Sequence, residues 1–119
     1  MIGQLALAAL IALAGAGPAL AHARLLHAIP RVGSTVKIAP RDLELSFSES
    51  IDVGGSSVTL LGPSGRVATG PLTRDPADPR IVHVPVKRAL PPGTYRVEWG
   101  MTSTDTHHTD GDFSFKVAR

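Results

Sequence analysis

The residues of this chain that are best suited to chemistry lie in one short stretch near its carboxyl end. Residues 104–111 read Thr-Asp-Thr-His-His-Thr-Asp-Gly and hold two carboxylates and two imidazoles. Asp105 and His107 are two positions apart, so in an extended segment their side chains point to the same side and can bind one ion. Such a pair also arises by chance, so alone it is a weak signal. His108 and Asp110 are provisional neighbours of this pair, and we expect the His108 side chain to be solvated.

The start of the chain can supply the other half of a metal site. The first 21 residues carry no charged side chain, and an apolar run from Leu5 to Leu13 precedes the small-x-small tripeptide Ala19-Leu20-Ala21, which is typical of a signal-peptidase site. The run is too short for a permanent membrane span, so a retained anchor is the lesser alternative. We predict an exported, periplasmic protein, with residues 1–21 as signal peptide and residues 22–119 as one mature domain.

The cleavage position decides the ligand set. Cleavage after Ala21 leaves a free α-amine on His22, whereas cleavage after Ala23, which fits the same rule, removes that histidine. An α-amine and the Nδ1 atom of the same residue can chelate one metal ion. With the His107 imidazole and an Asp105 oxygen, the set has three nitrogens and one oxygen, which is a tetragonal arrangement that Cu(II) prefers.

The amino-acid composition narrows the chemistry further. The chain has no cysteine and only two methionines, Met1 and Met101, whereas Cu(I) prefers soft sulfur ligands. Lack of cysteine also excludes disulfides, thiolate metal sites and a cysteine nucleophile. The twelve bases and ten acids give a net charge of +2 and are scattered along the sequence. Phosphate binding needs a clustered basic stripe, so we expect no nucleic-acid partner.

The segments that must position the candidate ligands have the pattern of short β-strands. Ten prolines and twelve glycines interrupt the chain, and apolar residues alternate with polar ones between them. The expected strands are residues 24–29, 42–47, 58–60, 80–84, 94–100 and 113–117, with residues 71–79 as a polar connection and 101–111 as a long loop. About seven such strands predict an all-β, Greek-key sandwich or barrel of the immunoglobulin-like type.

Several single residues carry further expectations. Tyr95 and Trp99 lie in the strongest strand and are expected in the core, where Tyr95 can also act as a tyrosine corner with its hydroxyl bonded to backbone. His83 lies inside an alternating strand, so we expect a structural role. His27 lies five positions after His22 in the first strand and is an outside candidate for a ligand.

These motifs together resemble the CopC-type periplasmic copper-binding proteins of bacteria. The resemblance covers nearly the whole mature chain and rests on four segments, which are Leu45-Ser46-Phe47-Ser48-Glu49, residues 92–99, Ser103-Thr104-Asp105-Thr106-His107 and residues 111–117. It implies a Greek-key fold whose Cu(II) site uses the amino-terminal histidine with the Asp and His of the D-x-H segment. Those roles map onto His22, Asp105 and His107. The acidic residue after the Phe-Ser pair maps onto Glu49, which the resemblance places near the copper.

The chain departs from the family pattern at two places. Members with a second, Cu(I) site carry a methionine-rich segment in mid-chain, but residues 58–71 contain no methionine. That site is therefore not expected here. The residue after the matching histidine is often proline, but here it is His108.

The function that these residues favour is Cu(II) binding for copper sequestration, resistance or delivery to a CopD-type inner-membrane partner. No reaction and no small-molecule substrate are implied, so we expect a protein that is not an enzyme. Two alternatives stay open from the sequence. One is a copper-dependent oxidative enzyme with a histidine brace, and the other is a metal-free immunoglobulin-like interaction module.

Overall fold

A computed structural model describes residues 22–119, and the predicted signal peptide lies outside this part of the chain. The described residues form nine strands: β1 Leu25–Ile29, β2 Thr35–Val36, β3 Asp42–Phe47, β4 Ile51–Gly62, β5 Gly65–Val67, β6 Thr73–Arg74, β7 Ile81–Pro85, β8 Gly93–Ser103 and β9 His108–Val117. Between residues 22 and 119, no helix is long and apolar enough to cross a membrane.

The strands form two sheets that pack face to face. One sheet has four strands in the order β1-β3-β7-β6, and the other has five in the order β2-β9-β8-β4-β5. All pairings are antiparallel except that of β2 with β9. The predicted all-β sandwich is confirmed. Nine strands are present rather than about seven, and the three outside the expected ranges, β2, β5 and β6, have only two or three residues each and cannot show an alternating pattern.

The inward-facing side chains of β3, β8 and β9 form the centre of the core. The ring of Phe47 meets Trp99 edge-on with centroids 5.1 Å apart, and Tyr95 stacks on Phe115 at 5.6 Å. The hydroxyl of Tyr95 donates a hydrogen bond to the Pro91 carbonyl at 2.5 Å, as expected for a tyrosine corner. The alternation of apolar residues in the sequence thus identified the core correctly, because every second residue is buried in β3, in β8 from Tyr95 onwards and in β9 from Phe113 onwards.

The predicted long loop over residues 101–111 is wrong. The ladder between β8 and β9 continues through the pairs Met101↔Thr109 and Thr102↔His108, so only residues 104–107 form the turn. Met101 and Ser103 continue the inward-facing row of β8 and are both buried. The polar composition of this stretch hid the strands, although threonine is itself favourable in a strand.

Residues 71–79, predicted as a simple connection, include β6 and an acidic residue that binds β7. His83 of β7 lies on the outer face of the four-stranded sheet, with Nε2 2.8 Å from Asp75 Oδ1 and Nδ1 3.2 Å from Asp42 Oδ2. Ionised carboxylates only accept hydrogen bonds, so both nitrogens donate when the ring is protonated. The hydrogen bond to Asp75, with a smaller contribution from Asp42, raises the pKa of His83. His83 thus has the structural role expected for it, because its ring ties β7 to Asp42 of β3 and to Asp75 in the loop after β6.

The ionisation of His83 and Asp75 makes the stability of the fold depend on pH. The hydrogen bond with His83 lowers the pKa of Asp75, so the contribution of Asp75 is present above its unfolded pKa of about 3.9 and is lost as pH falls through the folded value. The contribution of His83 is fully present below its unfolded pKa of about 6.5 and is lost as pH rises through the raised folded value. The pair therefore stabilises the fold most between about pH 4 and 6.5.

Replacing Asp75 by Asn should lower the melting temperature most near pH 5 and progressively less above neutrality, because His83 then loses its proton. Calorimetry at a series of pH values measures this difference. Glu98→Gln is the matched control, since Glu98 pairs with Arg96 rather than with a histidine. A loss for Asp75→Asn that stays constant from pH 5 to pH 8 would contradict the tie.

Candidate metal centre

The segment that carries His22 is fixed between two other parts of the sandwich. The Ser48 hydroxyl donates to the His22 carbonyl at 3.3 Å and accepts from the Arg24 backbone N–H at 2.9 Å. The Ser48 N–H donates in turn to the Arg24 carbonyl at 2.9 Å. From the other sheet, the Thr109 hydroxyl donates to the Ala23 carbonyl at 2.8 Å. These bonds satisfy the backbone of a segment that is not itself a strand, and so hold His22 at the start of β9.

Ser103 holds the turn that carries Asp105 and His107. Its side chain is buried, and its hydroxyl donates to the Asp105 carboxylate. Its backbone N–H donates to the His107 carbonyl at 2.8 Å, and its carbonyl accepts from the Thr106 N–H at 2.9 Å. Thr106 has a φ of 74°, which a β-branched residue rarely adopts, so the surrounding bonds must compensate for backbone strain.

The two halves of the site predicted from opposite ends of the chain meet. The ring of His22 contacts the ring of His107 edge-on, with centroids 5.0 Å apart and planes at 76°. His107 Nδ1 lies 3.3 Å from Asp105 Oδ1. The three predicted ligands therefore adjoin in a row, with His107 in the middle.

The donor atoms of this row do not converge on a common point. Among residues 22–119, no group of three or more histidine or acidic side chains is arranged to hold a metal ion. His107 Nδ1 faces Asp105 instead, so these two ligand groups contact each other rather than a shared metal position. A bound ion would have to replace this contact.

One atom of the site still fits a metal ligand. Nδ1 of His22 is buried and has no hydrogen-bond partner among the described residues. A buried polar atom without a partner costs free energy, and metal coordination is one way to recover that cost. Nδ1 is also the atom that can chelate an ion together with the α-amine of the same residue.

The charge of Asp105 suits a metal ligand as well. The hydrogen bond from the Ser103 hydroxyl, with a smaller contribution from His107, lowers the pKa of the Asp105 carboxyl. The carboxylate is therefore ionised at neutral and mildly acid pH, which is the form that binds metal.

His108 belongs to a different surface from His107. It lies on the outer face of the five-stranded sheet, where Nδ1 is 2.9 Å from Thr102 Oγ1 and Nε2 is 2.9 Å from Asp110 Oδ1. A side chain at Gly100 would crowd both of these groups, so the glycine leaves them room. His108 is exposed, as expected for a solvated side chain, and both of its ring nitrogens also have partners within the chain.

The remaining candidates are His27 and Glu49. His27 is exposed on the outer face of β1 and pairs in register with Ser46. Glu49 is half-buried in the turn after β3, directly after Ser48. Its charge acts on Arg80, whose pKa is raised mainly by Asp78 and more weakly by Glu49. The placement of Glu49 near a copper ion stays a prediction.

The residues that fix the site were not identified from the sequence. Ser48, Ser103 and Thr109 have side chains that hold the ligand segments, yet none has the chemistry of a ligand. Ser103 gave one usable signal, since it occupies an inward position of the β8 alternation where a polar residue needs a partner.

Removing the Ser103 hydroxyl should raise the pKa of Asp105 towards its usual value, because that hydrogen bond is the main cause of the lowered pKa. Carboxyl NMR titration of Ser103→Ala measures the change. Ser56→Ala is the matched control, since the Ser56 hydroxyl donates to the backbone carbonyl of Asp52, outside the site. An unchanged Asp105 pKa in Ser103→Ala would contradict this role.

The chain is similar to several known proteins. A model of the CopC domain family matches residues 25–118. The chain is 38% identical to protein YobA of Escherichia coli K12 over 98 residues, which cover 82% of this chain and 79% of that protein. It is 35% identical to copper resistance protein C of Escherichia coli over 106 residues, which cover 83% of each.

Two further comparisons concern domain context and fold. Copper transport protein CutJ of Bacillus subtilis is 30% identical over 100 residues, which cover 83% of this chain but only 18% of that protein. The crystal structure of PcoC, a methionine-rich copper resistance protein from Escherichia coli, superposes with a TM-score of 0.73 at 35% identity. That match covers 82% of this chain and 99% of PcoC.

Proposed function

Since this chain belongs to the CopC domain family, we propose that it is an exported protein that binds Cu(II) through His22, Asp105 and His107. The observation that carries the proposal is the contact between His22 and His107, which come from opposite ends of the described chain. Metal binding at this contact would also supply a partner for the unpartnered Nδ1 atom of His22. The family is one of copper-binding resistance proteins and not of enzymes.

The oxidation state follows from the donor atoms. Imidazole, amine and carboxylate groups suit Cu(II), whereas Cu(I) prefers sulfur. Met101 is the one sulfur-containing residue of the described chain, and its side chain is fully buried in the core. The described residues therefore offer no accessible sulfur ligand, and the fit is with Cu(II).

The ligands take complementary parts in this proposal. The α-amine and Nδ1 of a mature His22 would chelate the ion, the His107 imidazole would supply a third nitrogen, and Asp105 would supply an oxygen and a negative charge. Binding requires His107 to turn from its contact with Asp105 towards the ion. Ser103 and Ser48 keep the two segments in place, so that most of the arrangement exists before copper arrives.

We propose the periplasm as the location and a CopD-type membrane protein as the recipient of the copper. The relative CutJ supports the second point, because it is named a copper transport protein and the matched region makes up only 18% of it. A domain like this one is thus built into a longer transport protein. In the present chain the same domain would pass copper on or sequester it.

An oxidative enzyme with a histidine brace is the less favoured candidate. Oxygen chemistry at copper needs an open position, and the carboxylate of Asp105 stands beside His107 where it would fill one. A metal-free interaction module is not favoured either, because two of the related proteins are named for copper resistance and copper transport.

Replacing His107 by Ala should weaken Cu(II) binding by at least about a hundredfold, because loss of groups that only support a ligand already costs 10 to 100-fold. Competition titration against a Cu(II) chelator measures the affinity. The matched control is His108→Ala, which removes the adjacent imidazole from the opposite surface and should change the affinity less than about threefold. Equal losses in the two variants would contradict the proposed ligand set.

The mature amino terminus is tested separately. We expect mass spectrometry of the periplasmic protein to give a chain that begins at His22. Adding Gly-Ser before His22 should abolish the amine ligand and weaken Cu(II) binding at least about tenfold, whereas the same dipeptide added after Arg119 should have no effect. A mature chain that begins at Arg24 would remove the main chelating residue and rule out this site.

A further inference from the structure

The sandwich has two ends that differ sharply in charge. Ser103 and His108 lie at one end of the β8–β9 ladder, and Gly93 and Val117 lie at the other. The first end, which we call the metal end, is formed by residues 22–24, 48–50, 75–80 and 104–107. It holds two bases and four acids.

The opposite end carries positive charge alone. It is formed by residues 37–41, 63–64, 86–92 and 118–119, and we call it the basic end. Its five charged residues are Lys37, Arg41, Lys87, Arg88 and Arg119, and it contains no acid. The bases that looked scattered in the sequence are therefore gathered by the fold.

These five bases are free to meet a ligand. All five are exposed, and none forms an ion pair with another residue in the described part of the chain, where the arginine pairs use Arg80 and Arg96. The acid nearest in sequence is Asp42, whose carboxylate faces His83. Its carboxylate is therefore bound to β7 rather than to one of the five bases.

The basic end also has an exposed apolar side chain. Ile38 is 86% exposed, which is the highest value among the large hydrophobic residues of the described chain. With Pro40 and Val86 it lines a shallow cleft whose charged members are Arg41, Lys87 and Arg88. Ile38 thus places an aliphatic side chain in water beside several bases, where it could enter an apolar phase.

The backbone beneath these groups is held in place by hydrogen bonds. The Val86 N–H donates to the Arg41 carbonyl at 2.9 Å, and the Lys87 N–H donates to the Ala68 carbonyl at 3.0 Å. The Ala118 N–H donates to the Val36 carbonyl at 2.8 Å. The charges are therefore presented together by a fixed surface, and binding would not need to order these segments.

We propose that the basic end binds the surface of an anionic phospholipid bilayer, with its bases on the lipid phosphates and Ile38 inserted among the acyl chains. Basic groups are attracted to anionic lipids, and an exposed aliphatic side chain adds hydrophobic insertion. This inference does not depend on copper binding. The inference rests on the charges and the exposed aliphatic side chain of this surface, which lies at the opposite end from the metal site.

A protein partner with an acidic surface is less consistent with these residues. Protein interfaces concentrate their binding energy in Trp, Tyr and Arg side chains within packed pockets. All five Phe, Tyr and Trp residues of the chain are buried in the core. The basic end therefore has arginine but no aromatic anchor, and its combination of charge with one aliphatic group suits a lipid surface better.

Binding in this orientation would point the metal end away from the bilayer. The ten residues of β9 run between the two ends and span about 30 Å. His22 and the turn at residues 104–107 would then stay open to the aqueous side.

Sedimentation with vesicles tests the proposal. We expect the purified protein to bind vesicles of phosphatidylglycerol and phosphatidylcholine, to bind pure phosphatidylcholine vesicles much more weakly, and to be released by high salt. The double variant Lys87→Gln, Arg88→Gln should lose about thirtyfold in partitioning, because each base near an anionic surface contributes about 1 kcal/mol and about 1.4 kcal/mol is tenfold. Ile38→Ser should lose several-fold.

The matched control is the double variant Arg24→Gln, Arg96→Gln, which removes the same charge outside the basic end and should bind within about threefold of the parent. Circular dichroism shows whether each variant is folded, and all variants are prepared with the same amino terminus, so differences report the basic end. The proposal is overturned if anionic vesicles are not preferred or if the control loses as much as Lys87→Gln, Arg88→Gln. Binding to poly-glutamate or DNA as tight as to vesicles, with Ile38→Ser unaffected, would also overturn it in favour of another polyanion.

Discussion

The candidate site depends on the attachment of three residues at the start of the domain. Residues 22–24 belong to no strand, and hydrogen bonds from Ser48 in one sheet and Thr109 in the other hold them. These bonds, together with the burial of Ala23 in the core, keep residues 22–24 beside the β8–β9 turn. Because both sheets contribute, the position of His22 depends on the packing of the whole sandwich.

The other half of the site depends on a buried hydroxyl. Ser103 continues the inward row of β8, where the alternation of the strand would otherwise place an apolar residue. Its polar atoms are used within the turn, where they orient Asp105 and fix the backbone of His107. Nearby, Gly111 leaves room for the indole of Trp99, since any side chain there would overlap the ring. Close packing of the core therefore fixes the register that brings the turn to His22.

The sequence predicted the parts of this structure that depend on local pattern. Asp42–Phe47 alternates strictly, and the strand has those limits. The same pattern failed over residues 101–111, because threonine, histidine and aspartate at outward positions of a ladder resemble a loop. β2 and β6 are too short to show any period, and they form because neighbouring strands offer free edges. Local pattern cannot show such long-range pairings.

The candidate ligands were identifiable from the sequence because their chemistry is unusual. Their supports were not, since Ser48 and Thr109 have ordinary side chains whose importance lies in what the fold places beside them. The clustering of basic residues at one end of the sandwich was not evident from the sequence for the same reason. Lys37 and Arg88 are far apart in the chain, and only the order of strands brings their connections to one end.

The central claim is that His22, Asp105 and His107 bind one Cu(II) ion together. A crystal structure of the copper-loaded mature protein, with anomalous scattering recorded at the copper edge, tests it most directly. We predict a single copper peak that is bound by the amine and Nδ1 of His22, a ring nitrogen of His107 and an oxygen of Asp105. A peak at His108 and Asp110, or no peak beside His22, would contradict the account.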